Sequence, residues 1–120
     1  MPDPPRHVGR IAPDALESRM ASGEPLALLD VREPFERDLA SIPVRAGVVD
    51  LAIPMGEIPA RMEEVARVAG DRPVVVYCHH GQRSMVVARW LSARGVHNLL
   101  NLDGGIDAWS TGVDPSTPRY

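Results

Sequence analysis

No lysine occurs among the 120 residues; all 13 cationic side chains are arginine. Amine nucleophiles and Schiff bases from a lysine side chain are thereby excluded. A single cysteine rules out a disulfide within the chain and fits a reducing compartment. No stretch approaches the apolar length of a membrane-spanning helix. Met1-Pro2-Asp3-Pro4-Pro5-Arg6 lacks an apolar run, so neither a signal peptide nor a membrane anchor is expected. A cytoplasmic protein with no membrane partner is the expectation. Positive charge is not in excess either: the net charge is -3 and the pI near 5.7, which argues against nucleic acid as a partner. Internal repeats and low-complexity segments are absent. His79 and His80 are adjacent, where side chains tend to diverge, and the chain offers one Cys and two other His besides, too few for a structural zinc site. No metal and no cofactor is expected.

What is present is a globular composition, 44% hydrophobic, in a chain of ordinary single-domain size. Residues 1–6 read as a loose Pro-rich lead-in, residues 7–112 as the folded domain, and residues 113–120 as a C-terminal extension. Residues 8–11 form a candidate edge strand. Pro13 opens a helix in which Leu16 and Met20 share a face, and Gly23 ends it. Residues 26–31 read as a buried strand, residues 34–39 as a helical turn, and residues 48–51 as a short strand. Ile58, Met62, Val65 and Ala69 fall on one helical stripe closed by Gly70. Val74-Val75-Val76-Tyr77 is a continuous apolar, β-branched run suited to a central strand covered on both faces. A loop over 78–82, a helix over 83–94 with Val86, Val87, Trp90 and Leu91 inward, a strand over 99–102 and a helical turn over 106–110 complete the pattern. Strands alternating with helices specify an α/β domain with a mainly parallel sheet. Ligands of such sheets sit at the C-terminal ends of the strands, where Asp30, Cys78 and Asp103 fall.

The segment Tyr77-Cys78-His79-His80-Gly81-Gln82-Arg83-Ser84 carries the chemistry. A cysteine leaves a buried strand, a short loop follows, and a helix begins. The amides of that loop and of the first helical turn have no intrahelical partners. If the loop curls around Cys78, they converge on its sulfur and favour the anionic thiolate, which is the nucleophile. Gly81 permits the tight turn. Arg83 in a first helical turn opposes the helix dipole, which is explained by an anion close by, either substrate or thiolate. His79 and His80 line the mouth of the pocket.

This segment resembles the active-site loop of rhodanese domains, of the form Cys-x-x-Gly-x-Arg-Ser. Further signposts recur in order: Leu29-Asp30-Val31-Arg32-Glu33, Ile53-Pro54 and Gly104-Gly105-Ile106-Asp107-Ala108-Trp109. The resemblance implies the rhodanese fold, a five-stranded mainly parallel sheet with helices on both faces. It implies a sulfurtransferase that moves a sulfane sulfur from thiosulfate or a persulfide donor to a nucleophilic acceptor through a Cys78 persulfide. His79, His80, Gly81, Gln82, Arg83 and Ser84 would form the substrate loop. Asp30 would accept hydrogen bonds from that loop, and Arg32 would add positive potential or pair with carboxylates. Two departures stand out. Residues 40–47 replace the usual loop after the first motif, and Glu36 stands where two-domain rhodaneses carry an Arg, which points away from thiosulfate as preferred donor. A cysteine-dependent phosphatase of the same fold is the competing enzyme, yet tyrosine phosphatases use Cys-x5-Arg and here four residues separate Cys78 from Arg83. A non-catalytic rhodanese-like binding module is the third class. The tail Val113-Asp114-Pro115-Ser116-Thr117-Pro118-Arg119-Tyr120 resembles the end of rhodanese domains fused to adenylyltransferases that thiolate ubiquitin-like carriers. A free, solvated tail is the expectation, since chain ends fray unless tied down. A tail docked beside the active site would instead imply a protein sulfur carrier as acceptor.

Overall fold

The computed structural model describes residues 8–120; the lead-in assigned to residues 1–6 lies outside the described residues. Five strands, β1 (Gly9–Ile11), β2 (Leu26–Asp30), β3 (Val48–Ala52), β4 (Val74–Tyr77) and β5 (Leu99–Leu102), alternate with α1 (Pro13–Ala21), α2 (Pro34–Leu39), α3 (Ile58–Ala69), α4 (Gln82–Ala93) and α5 (Gly105–Gly112). A 3₁₀ turn, Met55–Glu57, precedes α3. The sheet runs in the order β1-β5-β4-β2-β3, and every neighbouring pair is parallel. The expected α/β architecture is therefore the observed one.

Side chains on a strand alternate between faces, and here both faces are covered. Ala27, Leu29, Val74, Val76 and Leu99 point toward one layer, where Val65 and Ala69 of α3 and Val87, Ala88 and Leu91 of α4 meet them. Leu26, Leu28, Val75, Tyr77 and Leu102 point the other way, onto Leu16 and Met20 of α1 and Ile106 and Trp109 of α5. No residue of β2 or β4 is more than marginally exposed. At about 1.5–3 kcal/mol per fully buried large apolar side chain, these two strands anchor the domain. The site is suspended from their C-terminal ends.

Several details differ from the sequence reading. Helix α4 begins at Gln82, one residue early, so Arg83 and Ser84 lie inside its first turn. Helix α5 extends to Gly112, two residues past the expected turn. Val86 is 56% exposed, because the buried face of α4 is set by Ser84, Val87, Ala88 and Leu91; a single residue's rotation on a helix carries Val86 off that face.

Candidate active site

Cys78 follows directly on β4 and continues the alternation of Val76, so its side chain turns toward the α3 and α4 layer. It is 1% exposed. The Gly81 N–H lies 3.1 Å from Cys78 Sγ and the Ser84 N–H 3.4 Å from it. The Ser84 hydroxyl is at 3.3 Å. Both amides belong to the unbonded set at the start of α4, and both aim at the sulfur as the sequence suggested. Gly81 makes this possible: its φ of 102° is open to glycine, and an added Cβ would press on Leu102 O and Gly104 N at 3.4 Å each.

The loop is pinned from behind by two elements. The first is Asn101 on β5, a residue the sequence reading passed over. Its Nδ2 donates to Gly81 O at 3.1 Å, which orients the amide, and its Oδ1 accepts the Ser84 hydroxyl at 2.5 Å. The only signal in the sequence was a polar residue inside the apolar run Leu99-Leu100-Asn101-Leu102. The second is the start of α5. Ile106 N–H donates to Cys78 O at 2.9 Å and Asp107 N–H to His79 O at 3.1 Å. A Cβ on Gly105 would stand 2.4 Å from His79 O and 2.5 Å from Cys78 O, and its φ is 63°. The paired glycines let the backbone of α5 close onto the loop.

Other expected site residues are distributed differently. Arg83 does face an anion, but that anion is the Glu36 carboxylate, gripped by both guanidinium nitrogens at 2.6 and 2.8 Å. The pairing draws the Glu36 carboxyl down to about 2 and raises Arg83 above its ordinary value. The Asp30 carboxylate is bonded by Arg32 and Arg37 rather than by the Cys78 loop, contrary to expectation. Arg32 folds back and donates from its backbone N–H and side-chain Nε to Oδ1, and from Nη2 to Oδ2, while Arg37 adds a bond to Oδ2. These donors fill both carboxylate oxygens. Asp103 pairs with Arg10 at 2.7 Å. His80 is mostly exposed and 3.9 Å from Asp107; its ring stacks on His79 with centroids 4.0 Å apart instead of diverging from it, and Gln82 is exposed at the start of α4.

The tail is docked, not free. Asp114 accepts from Ser116 N–H and from Thr117 Oγ1, and Thr117 is buried. Arg119 pairs with Asp107 at 2.9 Å. Tyr120 then lays its ring on His79, with centroids 3.9 Å apart and planes within 9°. Its hydroxyl accepts from Arg32 Nη1 and donates to Glu36 Oε2, both at 2.8 Å. Burial pushes the Tyr120 phenol up to about 12, so it keeps the proton it donates. Burial, with His80 beside it, lowers the His79 imidazole below its ordinary value, so neutral His79 is the stacking partner. Arg32 thus reaches the loop only through Tyr120. Fraying is overcome because Arg119 and Tyr120 find partners on the domain and Thr117 is buried.

The family model described as Rhodanese-like domain matches residues 12–111. A sulfurtransferase of Allochromatium vinosum is 39% identical over 103 residues, 86% of this chain and 89% of its own. A probable adenylyltransferase/sulfurtransferase of Mycobacterium tuberculosis is 33% identical over 110 residues, which are 92% of this chain; the match spans only 26% of that relative. The crystal structure of a rhodanese-like domain protein from Staphylococcus aureus has a TM-score of 0.74 at 26% identity, covering 94% of this chain and 99% of that one. No helix among the described residues is long and apolar enough to cross a membrane.

Proposed function

The chain belongs to the rhodanese-like domain family, and from that premise we propose that it transfers sulfane sulfur through a persulfide on Cys78. The observation that carries this reading is the buried sulfur facing two backbone amides, Gly81 N–H and Ser84 N–H. Fixed amides of this kind stabilise a sulfur anion without reorganising, as an oxyanion hole does for oxygen. The Cys78 thiolate attacks the outer sulfur of thiosulfate or of a persulfide donor. A new S–S bond forms on Cys78, the donor's S–S bond breaks, and sulfite or a thiolate leaves with the electron pair. A nucleophilic acceptor then takes the outer sulfur and returns the Cys78 thiolate. The loop from His79 to Ser84 surrounds the sulfur, with the Tyr120 ring stacked on His79.

The docked tail supports a protein sulfur carrier as acceptor, its flexible C-terminus entering beside Tyr120. The single free cysteine supports a reducing, cytoplasmic setting. A phosphatase is less well supported. Arg83 is turned onto Glu36 rather than toward the sulfur, and a loop this short fits one sulfur atom better than a phosphate tetrahedron. Intact mass after incubation with thiosulfate or a persulfide donor tests the proposal. The expected result is the gain of one sulfur, removable by cyanide or dithiothreitol and absent in Cys78→Ser. No gain with any donor would favour a binding module, and Cys78-dependent hydrolysis of an aryl phosphate would favour the phosphatase.

A further inference from the structure

Arg83 immediately precedes Ser84, whose amide and hydroxyl face Cys78 Sγ. From the first turn of α4, beside the sulfur-facing Ser84, its charge can draw an anionic donor to the sulfur. Its two terminal nitrogens are instead closed on Glu36. Glu36 is held from other sides as well. Tyr120 donates to Oε2 at 2.8 Å, and the Glu33 N–H donates to Oε1 at 3.1 Å. The residue is 5% exposed. A carboxylate so buried and so fully bonded cannot swing away at low cost, because leaving Arg83 would strand a desolvated charge. Around it, Arg32 and Arg37 are likewise matched by Asp30 and Asp50. Glu36 also sits close to the loop, for its bonded partner Tyr120 lies flat on His79, the residue after Cys78.

We propose that Glu36 determines donor specificity: its fixed carboxylate cancels the Arg83 charge beside the Cys78 sulfur, so that donors are accepted with little regard to their charge. This rests on the sulfur-transfer reading above and deepens it. A dianionic donor such as thiosulfate then gains no attraction over an alkyl persulfide, R–S–S–H. With the latter, the Cys78 thiolate bonds to the outer sulfur, which keeps its proton, and the donor's S–S bond breaks to release R–S⁻. The exchange involves no net oxidation and needs no other reactant.

The test uses the full chain and persulfides of cysteamine, 2-mercaptoethanol and 3-mercaptopropionate, whose side groups are cationic, neutral and anionic, with thiosulfate alongside. Second-order rates of sulfur gain at Cys78 are read by intact mass at low and high ionic strength. The wild type should load comparably from all three persulfides. Glu36→Gln keeps the shape and frees the Arg83 charge. It should raise the anionic-to-cationic rate ratio on the order of tenfold at low salt, with the gain shrinking in high salt. Tyr120→Phe disturbs the same contact without removing a charge, and its ratio should stay at the wild-type value. An unchanged ratio in Glu36→Gln, or an equal tilt in Tyr120→Phe, overturns the role of Glu36. Should Glu36→Gln fail to fold, a wild-type preference for the anionic persulfide decides against it just as well. Wild type that gains no sulfur from any donor overturns the sulfur-transfer reading itself.

Discussion

Asn101→Leu removes the side chain that ties the sulfur-binding loop to β5. Two hydrogen bonds go with it, to Gly81 O at 3.1 Å and from the Ser84 hydroxyl at 2.5 Å. Each is worth about 1 kcal/mol net, and a buried carbonyl left without a donor costs about 1–3 kcal/mol. Leucine is nearly isosteric and gains apolar burial on the face where Leu99 already packs, which offsets part of the loss. The expected destabilisation is about 2–3 kcal/mol, or roughly 10 °C in melting temperature for a domain of this size. Function should suffer beyond stability. Gly81, no longer held by its carbonyl, lets its N–H drift from Cys78 Sγ, and sulfur loading should slow on the order of tenfold at a temperature where the variant remains folded. Asn101→Asp separates the two bonds, since it keeps the acceptor for Ser84 and loses the donor to Gly81. Denaturant unfolding followed by circular dichroism gives the first quantity, and a time course of mass gain gives the second. Unchanged melting together with unchanged loading in Asn101→Leu would refute the reasoning.

Gly105→Ala should lower stability by more than 1 kcal/mol, an order set by strain at positive φ. It should also displace the Cys78 loop, since the new Cβ lands within 2.5 Å of two of its carbonyl oxygens; a variant as stable and as active as wild type would exclude this. Glu36 gives an acid signature. Its carboxyl falls from an ordinary 4.5 to about 2 in the folded protein, chiefly through Arg83. The stability it confers, about 3 kcal/mol, is therefore fully present above pH 4.5 and is lost as pH drops toward 2. Unfolding free energy measured across that window should fall less steeply in Glu36→Gln, and parallel curves would count against the buried pair. Tyr120→Ala removes the ring from His79 and the hydroxyl from between Arg32 and Glu36. Persulfide transfer to an activated carrier protein should fall while transfer to cyanide is largely retained; equal loss with both acceptors would mean that the tail only braces the fold.

The sequence alone determined the parts of this protein whose causes are local. Val74-Val75-Val76-Tyr77 suited an inner strand, and β4 is one. The stripe of Ile58, Met62, Val65 and Ala69 closed by Gly70 pointed to α3. A cysteine between that strand and a glycine-containing loop announced the amide cradle, because unbonded amides at a helix start follow from helix geometry itself. Tertiary structure decided which distant groups complete the site. Glu36 and Arg83 are 47 residues apart, and Tyr120 lies 84 residues from Glu36. The strand over 99–102 was legible, but not that Asn101 on it would hold the Gly81 loop. Asp30 was legible as a strand-end carboxylate, but its commitment to Arg32 and Arg37 was not. Pairings of this sort depend on strand order, β1-β5-β4-β2-β3, which brings Glu36 after β2, the Cys78 loop after β4 and Tyr120 together. Strand order is fixed by how the whole core packs, and no single segment encodes it.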